Sequence, residues 1–482
     1  MENQLYFLNQ NLTFILIIVI SLIFALIGIF YSRKHQSLSN YLAAERNVET
    51  LSLTTSLVAS ALGAWILFGP ASAATWGGIG SVIGYSLGTA FPMIALIYLG
   101  TKIRKVFPKG LALTEFIYHR FGKNIFKLVL LLTIFYMFIF LCAEVTAVAM
   151  LVKYISGTPL WLTASLIIVT TLIYILYGGL RASILTDNFQ FFIIIILLLI
   201  SFYYLFSSNF ISYEIVQTSS THLLSSKYIP NYTAGLTFFI AVAATNLFHQ
   251  GNWQRVFAAK SNKVLKKSLI ISFVIIIPIV FFMGVTGIVA VSIDTKVNPD
   301  LAFFSILLKD KKEFLSIIII ILAVSLTIST IDTLLNAISS IIVVDGKKIN
   351  STFTQNNLLI LSKFFVIFLS IISLIVASKG YSILYLFLLA DLLCCAAVFT
   401  VFYGFYQKKF KEKNAIISIL LGLFLGLLLF PSPDFSKSIL IGTMLPFDLF
   451  PQIISSYLLF WSFLLATVGP AIVIMYYDSI KR

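Results

Sequence analysis

The sequence predicts an all-α membrane protein that crosses the bilayer about 13 times. Of its 482 residues, 60% are hydrophobic and 11% are charged, and the mean hydropathy is +1.02. A water-soluble fold could not bury so large an apolar share. Apolar runs of about 20 residues recur along the chain, and each is long enough to cross roughly 30 Å of hydrocarbon as a helix.

The apolar runs follow one another without a long polar insertion, so residues 1–482 are expected to form a single membrane domain. The first run lacks a positively charged segment before it and is too long for a signal-peptide core, which favours a retained helix. The predicted spans are roughly 11–31, 50–76, 79–102, 124–152, 158–178, 187–207, 233–251, 268–293, 314–343, 357–378, 381–403, 414–431 and 452–477.

The net charge of +15 reflects membrane topology better than nucleic-acid binding. Lys and Arg stand in short clusters between apolar runs, such as Lys102–Lys109 and Arg255–Lys267, and do not share one polar face. Most fall on one side of the predicted layout. The positive-inside rule then places the N-terminus outside and the C-terminus in the cytoplasm, in a bacterial inner membrane.

Two of the predicted spans contain residues that interrupt a helix. The first, LVASALGAWILFGPASA, contains Gly63, Gly69 and Pro70, although close packing of helices would explain these residues equally well. The second, LTFFIAVAATNLFHQGNWQRVFAAKS, is polar from Thr245 to Asn252. The two spans lie five apart and run in opposite directions. This spacing predicts two inverted repeats, 50–207 and 233–403, followed by two C-terminal helices in 414–477.

Four acids lie within or at the edge of apolar spans, namely Glu144, Asp187, Asp332 and Asp391. An ionised acid at the bilayer centre costs about 3 kcal/mol, so each is a candidate for function or for pairing with a buried base. No Lys or Arg stands in the middle of a span, although bases at helix ends could reach some of the acids.

A polar stripe runs along the helix predicted at 314–343. Steps of three and four place Ser325, Ser329, Asp332, Asn336 and Ser340 on one face, flanked by Thr330 and Thr333. Hydroxyl, carboxylate and carbonyl oxygens suit a hard cation. Hydroxyl residues alone would favour helix packing, whereas the acid among them favours ion binding.

Several of these segments resemble the sodium/solute symporter family of proline, pantothenate, sialic acid, galactose, urea and polyamine carriers. The most specific are YGGLRASILTD with Gln190, the Ser329-Thr330 pair ahead of Asn336, QRVFAAKS and TSLVASALGAW. The resemblance covers nearly the whole chain. It implies a leucine-transporter-like fold of five plus five helices in inverted repeats, with one extra helix before them and two after.

The resemblance also implies a main sodium site, formed by the carbonyls of Ala59, Leu62 and Leu326 with the hydroxyls of Ser329 and Thr330. A second cation site would use Asp187, Asp332 and Thr333, although Asp332 stands where several relatives have Ser and could instead indicate a proton. The substrate candidates are Ser60, Trp65, Tyr85, Glu144, Asn246 and Asp391.

These inferences predict sodium-coupled uptake of a small polar solute, with Na⁺, the solute and the lipid bilayer as partners. Glu144 and Asp391 would favour an amine, so an amino acid such as proline, a polyamine or a urea-like compound ranks above a sugar or an anion. A proton-coupled carrier, a channel and a sensor that does not transport are the alternatives. An enzyme is disfavoured because the sequence shows no nucleophile–base pair or phosphate-binding loop, and neither nucleic acid nor an obligate protein partner is expected.

Overall fold

A computed structural model describes residues 6–32, 38–207, 221–310, 312–407, 411–441 and 451–479. Helices make up most of these residues, and their β-structure is limited to two isolated bridges, Val48 with Ala259 and Pro431 with Ser438. Some of the basic residues used to predict the topology lie outside the described residues, including Arg33, Lys34, Lys408 and Lys409.

In the first half of the chain, the described helices correspond to predicted apolar runs except for the two short helices Leu38–Ala43 and Leu113–Phe121. The helices of this half are α1 (Gln10–Ser32), α2 (Leu38–Ala43), α3 (Thr50–Ala61), α4 (Gly69–Val106), α5 (Leu113–Phe121), α6 (Lys123–Ser156) and α7 (Leu160–Phe206). Two of these helices contain a corner, because Gly78 in α4 has φ 58° and Gly179 in α7 has φ 57°, a left-handed conformation that glycine adopts readily.

The second half contains a similar series of helices. They are α8 (Thr221–Leu224), α9 (Ile229–Phe248), α10 (Gln250–Ala258), α11 (Asn262–Ile293), α12 (Ala302–Leu307), α13 (Glu313–Ile349), α14 (Gln355–Ala377), α15 (Ile383–Tyr403), α16 (Glu412–Leu429), α17 (Gln452–Ser455) and α18 (Leu458–Ser479). Within the described residues, ten helices are long and apolar enough to cross a membrane. The count of 13 spans and the inverted repeat stay predictions.

Helix α13, which carries the polar stripe, lies at the centre of the bundle. It packs against α6, α7 and α14, and its residues from Val324 to Ser340 are all buried. Around it, α4 packs against α9 and α11 at close range. A Cβ atom on Gly84 would lie 2.0 Å from the carbonyl oxygen of Gly235, so these two backbones meet where only glycine fits.

At one end of the bundle, here called the basic end, the start of α3 contacts the end of α10. Val48 N–H donates to Ala258 O, and Lys260 N–H donates to Val48 O. Arg104 donates to the carbonyls of Val256 and Ala259 at 2.6 and 2.8 Å. These bonds hold the basic ends of the two interrupted spans together.

Candidate functional site

The first interrupted span changes direction in the buried interior of the protein. Helix α3 ends at Ala61, a 3-10 turn covers Ala64–Leu67, and α4 begins at Gly69. A helix end leaves its last carbonyls without partners inside the helix, which is why such a break can offer oxygens to a cation. The predicted carbonyl ligands Ala59 and Leu62 lie at this end of α3.

The second interrupted span breaks at His249, between α9 and α10. The His249 Nδ1 atom accepts a hydrogen bond from Gly251 N–H, and Asn252 and Trp253 side chains donate to the carbonyls of Asn246 and Leu247. Side chains therefore replace the backbone bonds that the break removes. The structure thus contains a break in both of the spans where the sequence predicts one.

The carboxylate of Asp187 is held by three donors from three other helices. Ser56 Oγ donates at 2.6 Å, Ser329 Oγ at 2.7 Å, and Arg255 Nη2 forms an ion pair at 2.6 Å. Both charged side chains of this pair are fully buried. This cluster joins α3, α7, α10 and α13 at one point.

Arg255 was expected among the basic residues of a cytoplasmic loop, and this expectation is wrong because the side chain is fully buried. Its guanidinium also donates to Ser56 Oγ, the carbonyl of Gly251 and Thr333 Oγ1. The short helix α10 continues the interrupted span, and all of its residues, including Arg255, are buried. A base near a helix end thus reaches one of the four acids.

Asp332 lies beside this ion pair and accepts hydrogen bonds from hydroxyl groups. Tyr174 donates at 2.8 Å, Ser183 at 2.9 Å and Thr186 at 3.1 Å, all three from α7. Thr333 Oγ1 donates to the same carboxylate at 3.3 Å. The structure therefore brings Asp187, Asp332 and Thr333 together, with the guanidinium of Arg255 as the positive charge next to Asp187.

Thr330 faces the first break and is 1% exposed. Within the described part of the chain, its Oγ1 atom has no hydrogen-bond partner. A Cβ atom on Gly63 would lie only 2.6 Å from this oxygen. A buried hydroxyl without a partner normally costs free energy, so an oxygen that faces the break is well suited to bind a cation.

Five of the six substrate candidates line one small cavity of about 20 Å³ between the two breaks. This volume holds about one water molecule, so a solute could enter only after the helices separate. The five are Ser60, Trp65, Tyr85, Asn246 and Asp391, and the aromatic side chains of Phe140 and Phe387 also line the cavity.

The carboxylate of Asp391 is the acid of this cavity. Thr245 Oγ1 donates to one of its oxygens at 2.7 Å, and the Asp391 side chain is 5% exposed. Glu144 lies behind the cavity wall instead, and its carboxylate accepts bonds from the backbone N–H groups of Ala64 and Trp65. A role for Glu144 in solute binding stays a prediction.

A row of aromatic rings lies between this cavity and a larger one of about 570 Å³ at the end of the bundle opposite the basic end. Trp65 stacks on Tyr85 at 5.6 Å, Tyr85 on Phe238 at 5.0 Å, and Phe238 meets Trp76 at 5.8 Å. Trp76 lines the larger cavity, which also contains Asp300.

Sequence reasoning missed the residues that hold the acids. Arg255, Ser56 and Thr245 contact Asp187 or Asp391, and Tyr174, Ser183 and Thr186 contact Asp332. A signal existed for Ser183 and Thr186, which lie one turn or less before Asp187 in the YGGLRASILTDNFQ segment. Thr245 begins the polar run of the second interrupted span, whereas nothing in the sequence indicated a partner for Tyr174.

Two interrupted helices that meet at buried oxygens beside a small central cavity are typical of membrane transporters built from discontinuous helices. A model of the sodium:solute symporter family matches residues 41–422, so the chain belongs to that family. It is 28% identical over 408 residues to a spermidine transporter of Candida albicans, covering 83% of this chain and 77% of the relative.

Solved transporters share the fold. A Na⁺-coupled sialic acid symporter in a substrate-bound outward-open state has a TM-score of 0.74 at 17% identity, with 97% of this chain and 98% of that chain covered. Mhp1, a nucleobase-cation-symport-1 family transporter in a closed conformation, has a TM-score of 0.54 at 14% identity, with 91% and 96% covered. At these identities the likeness shows the fold alone.

Gly63 permits the close contact between the first break and its neighbours, and replacing it should damage the site. In Gly63→Ala the new methyl group would lie 2.3 Å from Glu144 Oε1 and 2.6 Å from Thr330 Oγ1. Overpacking of this kind costs about 1–3 kcal/mol, so both the melting temperature in detergent and solute uptake should fall. The control is Gly469→Ala, where the nearest atom is the end of the Leu425 side chain at 3.0 Å. Equal melting temperatures and equal uptake in the two variants would contradict the close contact of Gly63 with Glu144 and Thr330.

Proposed function

We propose that this protein imports a small organic cation carrying amine groups, by symport with Na⁺. The observation that supports the proposal is the Asp391 carboxylate inside an aromatic cavity between the two breaks. A buried carboxylate attracts an ammonium group, and the faces of Trp65, Tyr85 and Phe387 can stabilise the same charge. The similarity to a spermidine transporter favours a polyamine over proline or a urea-like compound.

The solute would enter through the larger cavity opposite the basic end. The ring row from Trp76 to Trp65 leads from that cavity to Asp391, and such faces favour an organic cation. Opening the row would give access to the central cavity. By the positive-inside rule the basic end faces the cytoplasm, so the opposite cavity faces outward, as in a 13-span inner-membrane protein with its N-terminus outside.

Sodium would bind between the first break and α13. Its ligands would be the carbonyls of Ala59, Leu62 and Leu326 and the hydroxyls of Ser329 and Thr330, and the unpartnered Thr330 Oγ1 supports this assignment. Asp187, Asp332 and Thr333 would form a second cation site, or Asp332 would carry a proton. Cation binding that favours the solute-binding arrangement raises the affinity for solute, and the reverse holds equally. The membrane potential adds about 2.3 kcal/mol per charge per 100 mV.

The test is uptake of radiolabelled spermidine and putrescine into proteoliposomes with an inward Na⁺ gradient. The wild type should accumulate at least one of them, with saturation. Asp391→Asn keeps the size of the side chain and removes its charge, so uptake should fall by roughly tenfold or more because an ion-paired hydrogen bond is lost.

The matched control is Asp310→Asn, which changes an exposed acid paired with Lys312 at 3.6 Å. Its uptake should equal that of the wild type, because such surface pairs contribute little. Wild-type proteoliposomes that accumulate neither amine, or an Asp391→Asn variant with undiminished uptake, would refute the proposed solute class. Accumulation driven equally well by a proton gradient without Na⁺ would favour the proton-coupled carrier instead.

A further inference from the structure

Glu144 is a buried acid without a described basic partner, and its position differs from that of Asp391. The side chain is completely buried in α6. Its two carboxylate oxygens accept hydrogen bonds from Ala64 N–H at 2.9 Å and from Trp65 N–H at 3.4 Å. These N–H groups belong to the turn at the first break, so a carboxylate supplied by the protein itself occupies the donors exposed there.

Backbone N–H groups at a helix break attract anions, and in transporters with discontinuous helices they commonly meet an anionic group of the substrate. Trp65 contributes both to the solute cavity and to the N–H donors at the break. Its side chain lines the solute cavity, while its N–H faces Glu144. A solute carboxylate seated in this cavity would find the donors at the break already in use.

The surroundings leave no room for a second carboxylate at this point. A Cβ atom on Gly63 would already lie 2.3 Å from Glu144 Oε1, so the acid is in close contact with the backbone of the break. Two carboxylates that share one buried site also repel each other. An incoming carboxylate would therefore meet both a steric and an electrostatic barrier.

We infer that Glu144 is a specificity-determining residue, which occupies the donors at the first break in place of a substrate carboxylate and so restricts transport to amines that lack one. The inference rests on the proposed function and narrows it. Glu144 and Asp391 together supply two negative charges near the cavity, which matches a diamine or polyamine. An α-amino acid carries a carboxylate of its own. The N–H groups at the break that could bind this carboxylate already bind Glu144.

Putrescine and ornithine test the inference, because ornithine is putrescine with a carboxylate added beside one amine. We expect the wild type to take up putrescine and to exclude ornithine. In Glu144→Ala the N–H groups of Ala64 and Trp65 become available, and the ratio of putrescine to ornithine uptake should fall by roughly tenfold or more, the usual effect of hydrogen bonds to a charged group. A merely structural role would lower both uptakes without changing their ratio.

Glu144→Gln is the matched control, since its amide oxygen can still accept from Ala64 N–H and still fills the space. This variant should continue to exclude ornithine. If Glu144→Ala does not reach the membrane, Glu144→Asp shortens the side chain and withdraws the carboxylate, and its ratio should also fall.

Thermal-shift measurements separate this inference from the proposed function. Ornithine and proline should stabilise purified Glu144→Ala but not the wild type, whichever amine the wild type carries. Wild-type protein that binds or imports ornithine as well as putrescine overturns the inference, as does an unchanged ratio in Glu144→Ala. Failure of the wild type to import any amine, with carboxylate exclusion intact, overturns the proposed function and leaves the role of Glu144 standing.

Discussion

Arg255→Met should be among the most destabilising single substitutions in this protein. It removes the base from a fully buried ion pair and leaves the Asp187 carboxylate charged in the interior. Breaking a buried pair in this way costs about 3–5 kcal/mol, much of it from the charge left behind. The melting temperature in detergent should fall sharply, and uptake should be lost because the same guanidinium joins α10 to α3 and α13.

Lys260→Met is the matched control, since Lys260 also pairs with an acid, Glu49, at 2.8 Å. That pair is largely exposed, and the Lys260 ammonium lowers the pKa of the Glu49 carboxyl by hydrogen bonding and by its charge. A surface pair of this kind contributes little because water screens it, so this variant should unfold close to the wild-type temperature. Equal melting temperatures for the two variants would contradict the buried pair.

The double variant Asp187→Asn with Arg255→Met gives a sharper test. Removing both charges eliminates the unpaired acid, so most of the lost stability should return while uptake stays absent. The difference between the double variant and the sum of the single variants measures the coupling between the two residues. Simple additivity would mean that Arg255 acts independently of Asp187.

The sequence predicted the membrane fold well because hydropathy and helix-breaking residues act locally. Gly63 and Pro70 marked the first break, and the polar run from Thr245 to Asn252 marked the second, and the structure has both. Apolar length also located most spans. The corners at Gly78 and Gly179 divide long helices into segments whose ends composition alone places only approximately.

The partners of the buried acids could not be predicted in the same way. Arg255 lies 68 positions from Asp187 in the sequence, and the two side chains meet only in the fold, where every residue of α10 is buried. A count of basic residues per loop treats such an arginine as a surface charge. Glu144 and Asp391 are both acids within apolar spans, so the sequence does not distinguish them. Only the fold places the Glu144 carboxylate at a backbone turn and the Asp391 carboxylate in a cavity.

The Asp187 cluster and the predicted sodium site share Ser329, which gives the cation a means of influencing both breaks. Ser329 Oγ donates to Asp187, and Asp187 is paired with Arg255 from the second interrupted span. A cation held by Ser329 and Thr330 would therefore act on α3 directly and on α10 through the ion pair. Coupling between sites requires such a connected element with two arrangements.

Thr330→Val should take up solute only at much higher Na⁺ concentrations than the wild type needs. Valine keeps the shape of the side chain and removes only the Oγ1 atom, which is buried and has no hydrogen-bond partner among the described residues. If that oxygen binds Na⁺, its loss removes one ligand to a charged ion, worth about 1.5–3 kcal/mol, or a roughly 10- to 100-fold rise in the Na⁺ concentration for half-maximal uptake. The measurement is initial uptake rate against external Na⁺ in proteoliposomes.

Thr327→Val is the control that makes this result specific. Thr327 lies one turn earlier on the same helix, is fully buried, and its Oγ1 atom also lacks a partner in the described structure, but it is outside the predicted cation site. Removing an unpartnered buried hydroxyl should slightly stabilise either variant, because its desolvation cost disappears. A rise in the Na⁺ concentration for half-maximal uptake in Thr330→Val alone therefore assigns the oxygen to the ion, because overall stability would change in the same direction in both variants. An unchanged Na⁺ response in Thr330→Val would remove this hydroxyl from the site and leave the cation to the second predicted site, at Asp187 and Asp332.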